Sequence, residues 1–116
     1  MASIKDAIND LFNPLLKAEE AVARHFSSSF RQRVNGAWID HAGFLAAIVS
    51  LREIVDRVTV TVLDEFSEGS RYAERHVIDL LKRDGGRMRQ EVYLFAERSP
   101  DGGFDRIEET SLAIEP

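Results

Sequence analysis

No cysteine occurs among the 116 residues, which excludes a disulfide scaffold, a thiolate metal site and a thiol nucleophile, and is compatible with a cytoplasmic location. No apolar run approaches the length of a bilayer span, and the opening MASIKDAIND places Asp6 and Asp10 where a secretory leader would turn apolar. Neither a signal peptide nor a transmembrane helix is expected. A basic surplus is missing as well. With 20 acidic against 15 basic residues the formal charge is -5, a balance that favours solubility and argues against a general nucleic-acid or anionic-membrane partner. There is no glycine-rich phosphate loop, G-x-S-x-G elbow, internal repeat or low-complexity tract. His25, His41 and His76 have no recognisable metal-ligand spacing, so no metal is expected.

What remains is a globular balance, 44% hydrophobic and 30% charged, at a length suited to one domain over residues 1–116 with one core. Ser3 followed by Asp6 has the form of a capping box, and Ile4, Ala7, Ile8, Leu11 and Phe12 repeat at helical spacing. Asn13-Pro14 breaks that helix. A second is expected from Pro14, with Leu15, Leu16, Ala18, Ala21 and Val22 leading to His25-Phe26 and the serine run. Asn35-Gly36 between Val34 and Trp38 predicts a short hairpin over residues 30–39. Asp40 then caps a third helix whose apolar stripe is Phe44, Leu45, Ile48, Leu51, Ile54 and Val55.

From there the period changes to 2. RVTVTVLDEF, RYAERHVIDLL, RMRQEVYLF and FDRIEETSLAI read as four strands, joined by the turn-rich SEGS, RDGG and SPDGG, so successive pairs should be antiparallel. Helices first and a meander last is an α+β order, with the helices on one face of a curved sheet. Both faces of the later strands carry apolar residues, and a second copy of the chain is the economical cover for the outer one. The face expected to meet it bears Ala73, Val77, Val92 and Leu94.

The order of elements, together with EGSRYAERH, VYLF and DGGFDRIEE, resembles the nuclear transport factor 2-like superfamily, which includes ketosteroid isomerases and SnoaL-like polyketide cyclases. The resemblance covers nearly the whole chain. It implies a cone-shaped cystatin-like roll, in which three N-terminal helices lie on the concave face of a curved antiparallel sheet. It also implies a pocket for a small apolar, polyketide-like or steroid-like molecule, no cofactor, and a homodimer. Counting back from Phe95, Glu91 falls where ketosteroid isomerases carry the acid of their oxyanion hole. Their tyrosine would fall near Asp10 or Leu11 and their aspartate base near Val34 or Asn35, where this chain has neither residue.

Two registers are open for the hairpin at Asp84-Gly85-Gly86. A two-residue Asp84-Gly85 turn places His76 opposite Tyr93 and Ile78 opposite Glu91, and puts Glu74, Arg89 and Phe95 on the same face. A three-residue loop slips the pairing by one and sets Arg75 and Asp79 with Glu91. The first is preferred. It predicts an acid–base set of His76, Glu91 and Tyr93 in an apolar pocket with Trp38, Glu74, Ile78, Arg89 and Phe95 around it. The expected function is a small-molecule-binding SnoaL-like protein, with a cofactor-independent isomerase, cyclase or hydratase as its catalytic form. The alternative is a noncatalytic dimeric association module.

Overall fold

The computed structural model describes residues 2–115. Its elements run α1 (Ile4–Leu11), α2 (Ala18–His25), β1 (Phe26–Val34), β2 (Ala37–Asp40), α3 (His41–Ile54), β3 (Val55–Glu68), β4 (Arg71–Lys82), β5 (Arg87–Arg98) and β6 (Phe104–Ala113). The six strands form one curved, unclosed sheet in the order β2-β1-β6-β5-β4-β3. Strands β3 to β6 pair antiparallel with their chain neighbours, as their short turns require. The β1–β2 hairpin joins this meander through a parallel pairing of β1 with β6. None of the described helices is long and apolar enough to cross a membrane.

Local chemistry explains most boundaries. Ser3 Oγ accepts from the Asp6 backbone N–H while Asp6 accepts from that of Ser3, closing the capping box that starts α1. Asp40 accepts from the Gly43 N–H and starts α3. Asn35 and Gly36 both take positive φ, 49° and 92°, the conformation that a two-residue hairpin of this twist needs. Helix α2 begins later than Pro14 implies. Asn13 Oδ1 accepts from the Leu15 N–H, and the resulting turn keeps the chain out of helix until Ala18. At its far end α2 passes straight into β1 at Phe26, so the serine run belongs to a strand. There Ser27 and Ser29 both donate to Asp105 on β6 at 2.6 Å, bridging a break in the parallel register.

The core lies between the helices and the concave face of the sheet. Ile4, Ala7 and Leu11 of α1, Val22 of α2, Phe44 and Ile48 of α3, and Val92, Leu94, Ala96 and Ile107 of the sheet belong to one buried cluster. Phe26, Phe30 and Phe44 meet with ring centroids 4.7–4.9 Å apart in tilted or edge contacts, geometry that adds about 0.5–1.5 kcal/mol per pair beyond burial. Phe44, Ile48 and Val55 of the expected stripe are buried. Leu51 and Ile54 reach the rim, and Val55 leaves the helix to open β3.

Candidate active site

Strand alternation puts Tyr72, Glu74, His76, Ile78 and Leu80 on the concave face of β4. Glu74 and His76 are both buried, and the Glu74 carboxylate is hydrogen-bonded to His76 Nδ1. Its other oxygen lies 3.0 Å from the Tyr72 hydroxyl, which is also 2.5 Å from Glu65 on β3. A phenol has one proton, so Glu65 and Glu74 share it. Burial and the bond to Glu65 push the Tyr72 phenol far above its ordinary pKa and keep it a neutral donor. With Glu74 accepting at Nδ1, the neutral imidazole carries its proton there and its lone pair at Nε2. That nitrogen makes no hydrogen bond among the described residues.

His76 lines a cavity of about 250 Å³ bounded by α1, α3 and the concave sheet. Most of the wall is apolar, from Ile4, Ile8, Leu11, Phe44 and Ile48 on the helices to Ile78, Val92 and Ile107 on the strands. Four lining residues are polar: Gln32, His76, Gln90 and Glu109. The Gln32 amide donates to Glu109. Burial raises the Glu109 pKa above the usual carboxylate range, against the opposing effects of the Gln32 bond and the nearby His76. A wide apolar hollow with a few converging polar groups can hold a small molecule and move a proton on it. Among the described residues no group of three or more histidines and carboxylates is placed to hold a metal ion.

The structure keeps only part of the predicted set together. His76, Glu74 and Ile78 share the concave face, as expected. Glu91, Tyr93, Arg89 and Phe95 do not join them, because the hairpin pairs Val77 with Glu91 and Arg75 with Tyr93. Glu91 lies 3.6 Å from Arg75 and Arg89 lies 3.4 Å from Asp79, all on the outer face. The slip arises in a three-residue loop, Arg83-Asp84-Gly85. Gly85 donates to the Lys82 carbonyl at 3.0 Å, Lys82 donates to Gly86 at 2.8 Å, and Gly85 takes φ 90°. The expected outer face divides for the same reason. Ala73 and Val77 point outward, whereas Val92 and Leu94 are core. Trp38 stands on β2 away from the cavity, with the Arg31 guanidinium 5.0 Å over its ring.

The lining residues absent from the predicted set, Gln32, Gln90 and Glu109, carried a readable signal. Each stands two positions from a buried residue of its own strand, Phe30, Val92 and Ile107 respectively, so each shares that residue's face. A second hollow of about 520 Å³ lies across the sheet beside Phe66, Ala73 and Phe95. Of the buried polar side chains on β4 it touches Tyr72 but neither Glu74 nor His76.

No protein-family model and no curated protein sequence matches the chain. Solved structures do. A candidate isomerase from Rhodopseudomonas palustris superposes with a TM-score of 0.77 at 12% identity, over 96% of this chain and 90% of that one. A candidate polyketide cyclase from Streptomyces antibioticus gives 0.69 at 17% identity, over 95% and 92%. A nuclear transport factor 2-like protein of unknown function from Exiguobacterium sp. 255-15 gives 0.69 at 15% identity, over 98% and 100%. At these identities the likeness is one of architecture. Three helices on a six-stranded curved sheet, matched end to end by these structures, give the chain the nuclear transport factor 2-like fold.

Proposed function

We propose that the protein binds a small, largely apolar molecule in the concave cavity and transfers a proton on it without a cofactor, with His76 as the acid–base group. The observation that carries this reading is the buried Glu74–His76 pair, whose free Nε2 belongs to a residue lining an apolar hollow. The chemistry suits a carbon acid beside a carbonyl. Nε2 takes the proton, the C–H electrons pass into the enolate, and the imidazolium, stabilised by Glu74, returns the proton elsewhere on the molecule. The amides of Gln90 and Gln32 are the neutral donors within reach of the cavity for the developing oxyanion. Proton transfer of this kind is common to isomerisation, cyclisation and dehydration, and the likeness to a candidate isomerase and a candidate cyclase supports the reading at the level of fold. In this reading the carboxylate beside His76 is Glu74, where the sequence pointed to Glu91.

The same proposal places the protein in the cytoplasm as one domain that works as a homodimer. Phe66 and Phe95 on the outer face are 69% and 74% exposed, which also favours the second reading, a noncatalytic association module. One experiment separates the two. Incubated with 2-tetralone in deuterated buffer, the wild type should exchange the ketone's α-protons faster than buffer alone, and His76→Asn should lose at least about 100-fold of that excess. Exchange no faster than buffer would sink the acid–base role. Tetralone binding measured by calorimetry would then decide between a silent binder and an association module.

A further inference from the structure

We infer that Glu109 sets the charge selectivity of the concave cavity, so that the molecule it takes is an apolar amine in preference to the matching carboxylate. This rests on the small-molecule reading above and narrows it to a ligand class.

Glu109 is the one acid among the described residues lining the cavity, and no lining residue is Lys or Arg. Its partner is the Gln32 amide from β1, a dipole without charge. The other ionisable lining group, His76, is bound through Nδ1 to Glu74, so its neighbourhood already holds a second carboxylate. A ligand carboxylate entering this space would meet like charge in apolar surroundings and find no Lys or Arg to pair with, only His76, which Glu74 already holds, a costly arrangement for a protein to bury. An ammonium would meet the opposite situation. It would supply the counter-charge that Gln32 lacks, through a charge-assisted hydrogen bond to Glu109, and so recover part of its own desolvation. The raised pKa of Glu109 agrees, since burial disfavours its ionised form more than the Gln32 bond and His76 offset. The net charge of -5 acts in the same sense at longer range.

The test uses three probes with one ring system and different polar ends: 2-naphthylmethylamine, 2-naphthalenemethanol and 2-naphthylacetic acid, titrated calorimetrically near neutral pH. The wild type should bind the amine at least about tenfold more tightly than the acid, with the alcohol between them. Glu109→Gln should bring amine and acid to within about twofold. Gln32→Lys sets an ammonium beside Glu109 and should erase the preference by a different route, which serves if the Gln variant melts too low to titrate. Equal binding of acid and amine by the wild type would overturn the inference, as would an unchanged ratio in a folded variant. Failure of all three probes to bind would overturn the small-molecule reading and this inference together, whereas alcohol binding without charge discrimination would remove this inference alone.

Discussion

Glu109 also shows how a site residue affects stability. Burial raises its pKa in the folded protein above that of the unfolded chain. Between the two values the folded state holds a proton that the unfolded state has released, so stability falls as pH rises through that window and stays lower above it. Glu109→Gln keeps the shape and removes the charge. It should therefore raise the urea midpoint at neutral pH, with no gain below the unfolded carboxyl pKa. Equal midpoints at neutral pH would show that Gln32 already compensates the charge. At this scale the sequence was legible one strand at a time. Glu74, His76 and Ile78 alternate in phase, as do Arg89, Glu91, Tyr93 and Phe95, and both sets stay together in the structure. Which of the two sets faced the helices could not be read from either strand, because Val92 and Leu94 are as good a core as Tyr93 and Phe95.

At the scale of elements, one side chain holds the end of α1 and the turn after it. From α3, Arg52 donates through Nε to the Leu11 carbonyl at 2.6 Å and through Nη1 to that of Leu16 at 2.7 Å, with longer contacts to Asp10 and Asn13. The Asp10 and Asn13 carbonyls also accept from the backbone N–H groups of Asn13 and Leu16, so the guanidinium counts most at Leu11 and Leu16, and at Leu11 it also meets the negative end of the α1 dipole. Arg52→Met keeps most of the apolar stem but takes the guanidinium donors from the Leu11 and Leu16 carbonyls. It should cost about 2–3 kcal/mol in a denaturation midpoint, and Arg52→Lys should recover only part because a single ammonium cannot span the set. A loss within 0.5 kcal/mol, the ordinary size for a surface change, would show the contacts to be incidental. The late start of α2 has the same origin. Pro14 and the apolar residues after it suit a helix by local rules, yet Arg52, 36 residues from Leu16 in the chain, helps hold that carbonyl in a turn, and no local pattern reports a partner so distant.

At the scale of the whole molecule, the outer face of the sheet sets the expected assembly. Phe66, Ala73 and Phe95 pair across three neighbouring strands, and Leu112, opposite Glu91, is 59% exposed. Arg75 with Asp64 and Glu91, and Arg89 with Asp79, lie among them as ion pairs, the mixture of apolar anchors and polar rim that recurs at interfaces. Sedimentation at micromolar concentration should give a dimer for the wild type and a monomer for Phe95→Glu, because a charge placed among facing aromatic side chains would lack a partner. A monomeric wild type would end the proposal, and a dimeric Phe95→Glu would move the contact elsewhere.

Sequence alone was enough for the architecture: the capping residues at Ser3 and Asp40, the Asn35-Gly36 turn, and the change from a period of 3.6 to a period of 2 after Val55 are each local patterns with a local physical cause. It was also enough for the composition of each strand face. The relation between faces of different strands depended on one loop. Arg83-Asp84-Gly85 takes three residues where two were expected, and because successive side chains alternate, that single step carried Glu91 and Tyr93 out of the cavity and brought Gln90 and Val92 into it. The parallel pairing of β1 with β6, which brings Gln32 to Glu109, joins residues 77 positions apart. Such a contact is decided by how the whole sheet closes over the helices, and only the tertiary structure contains it.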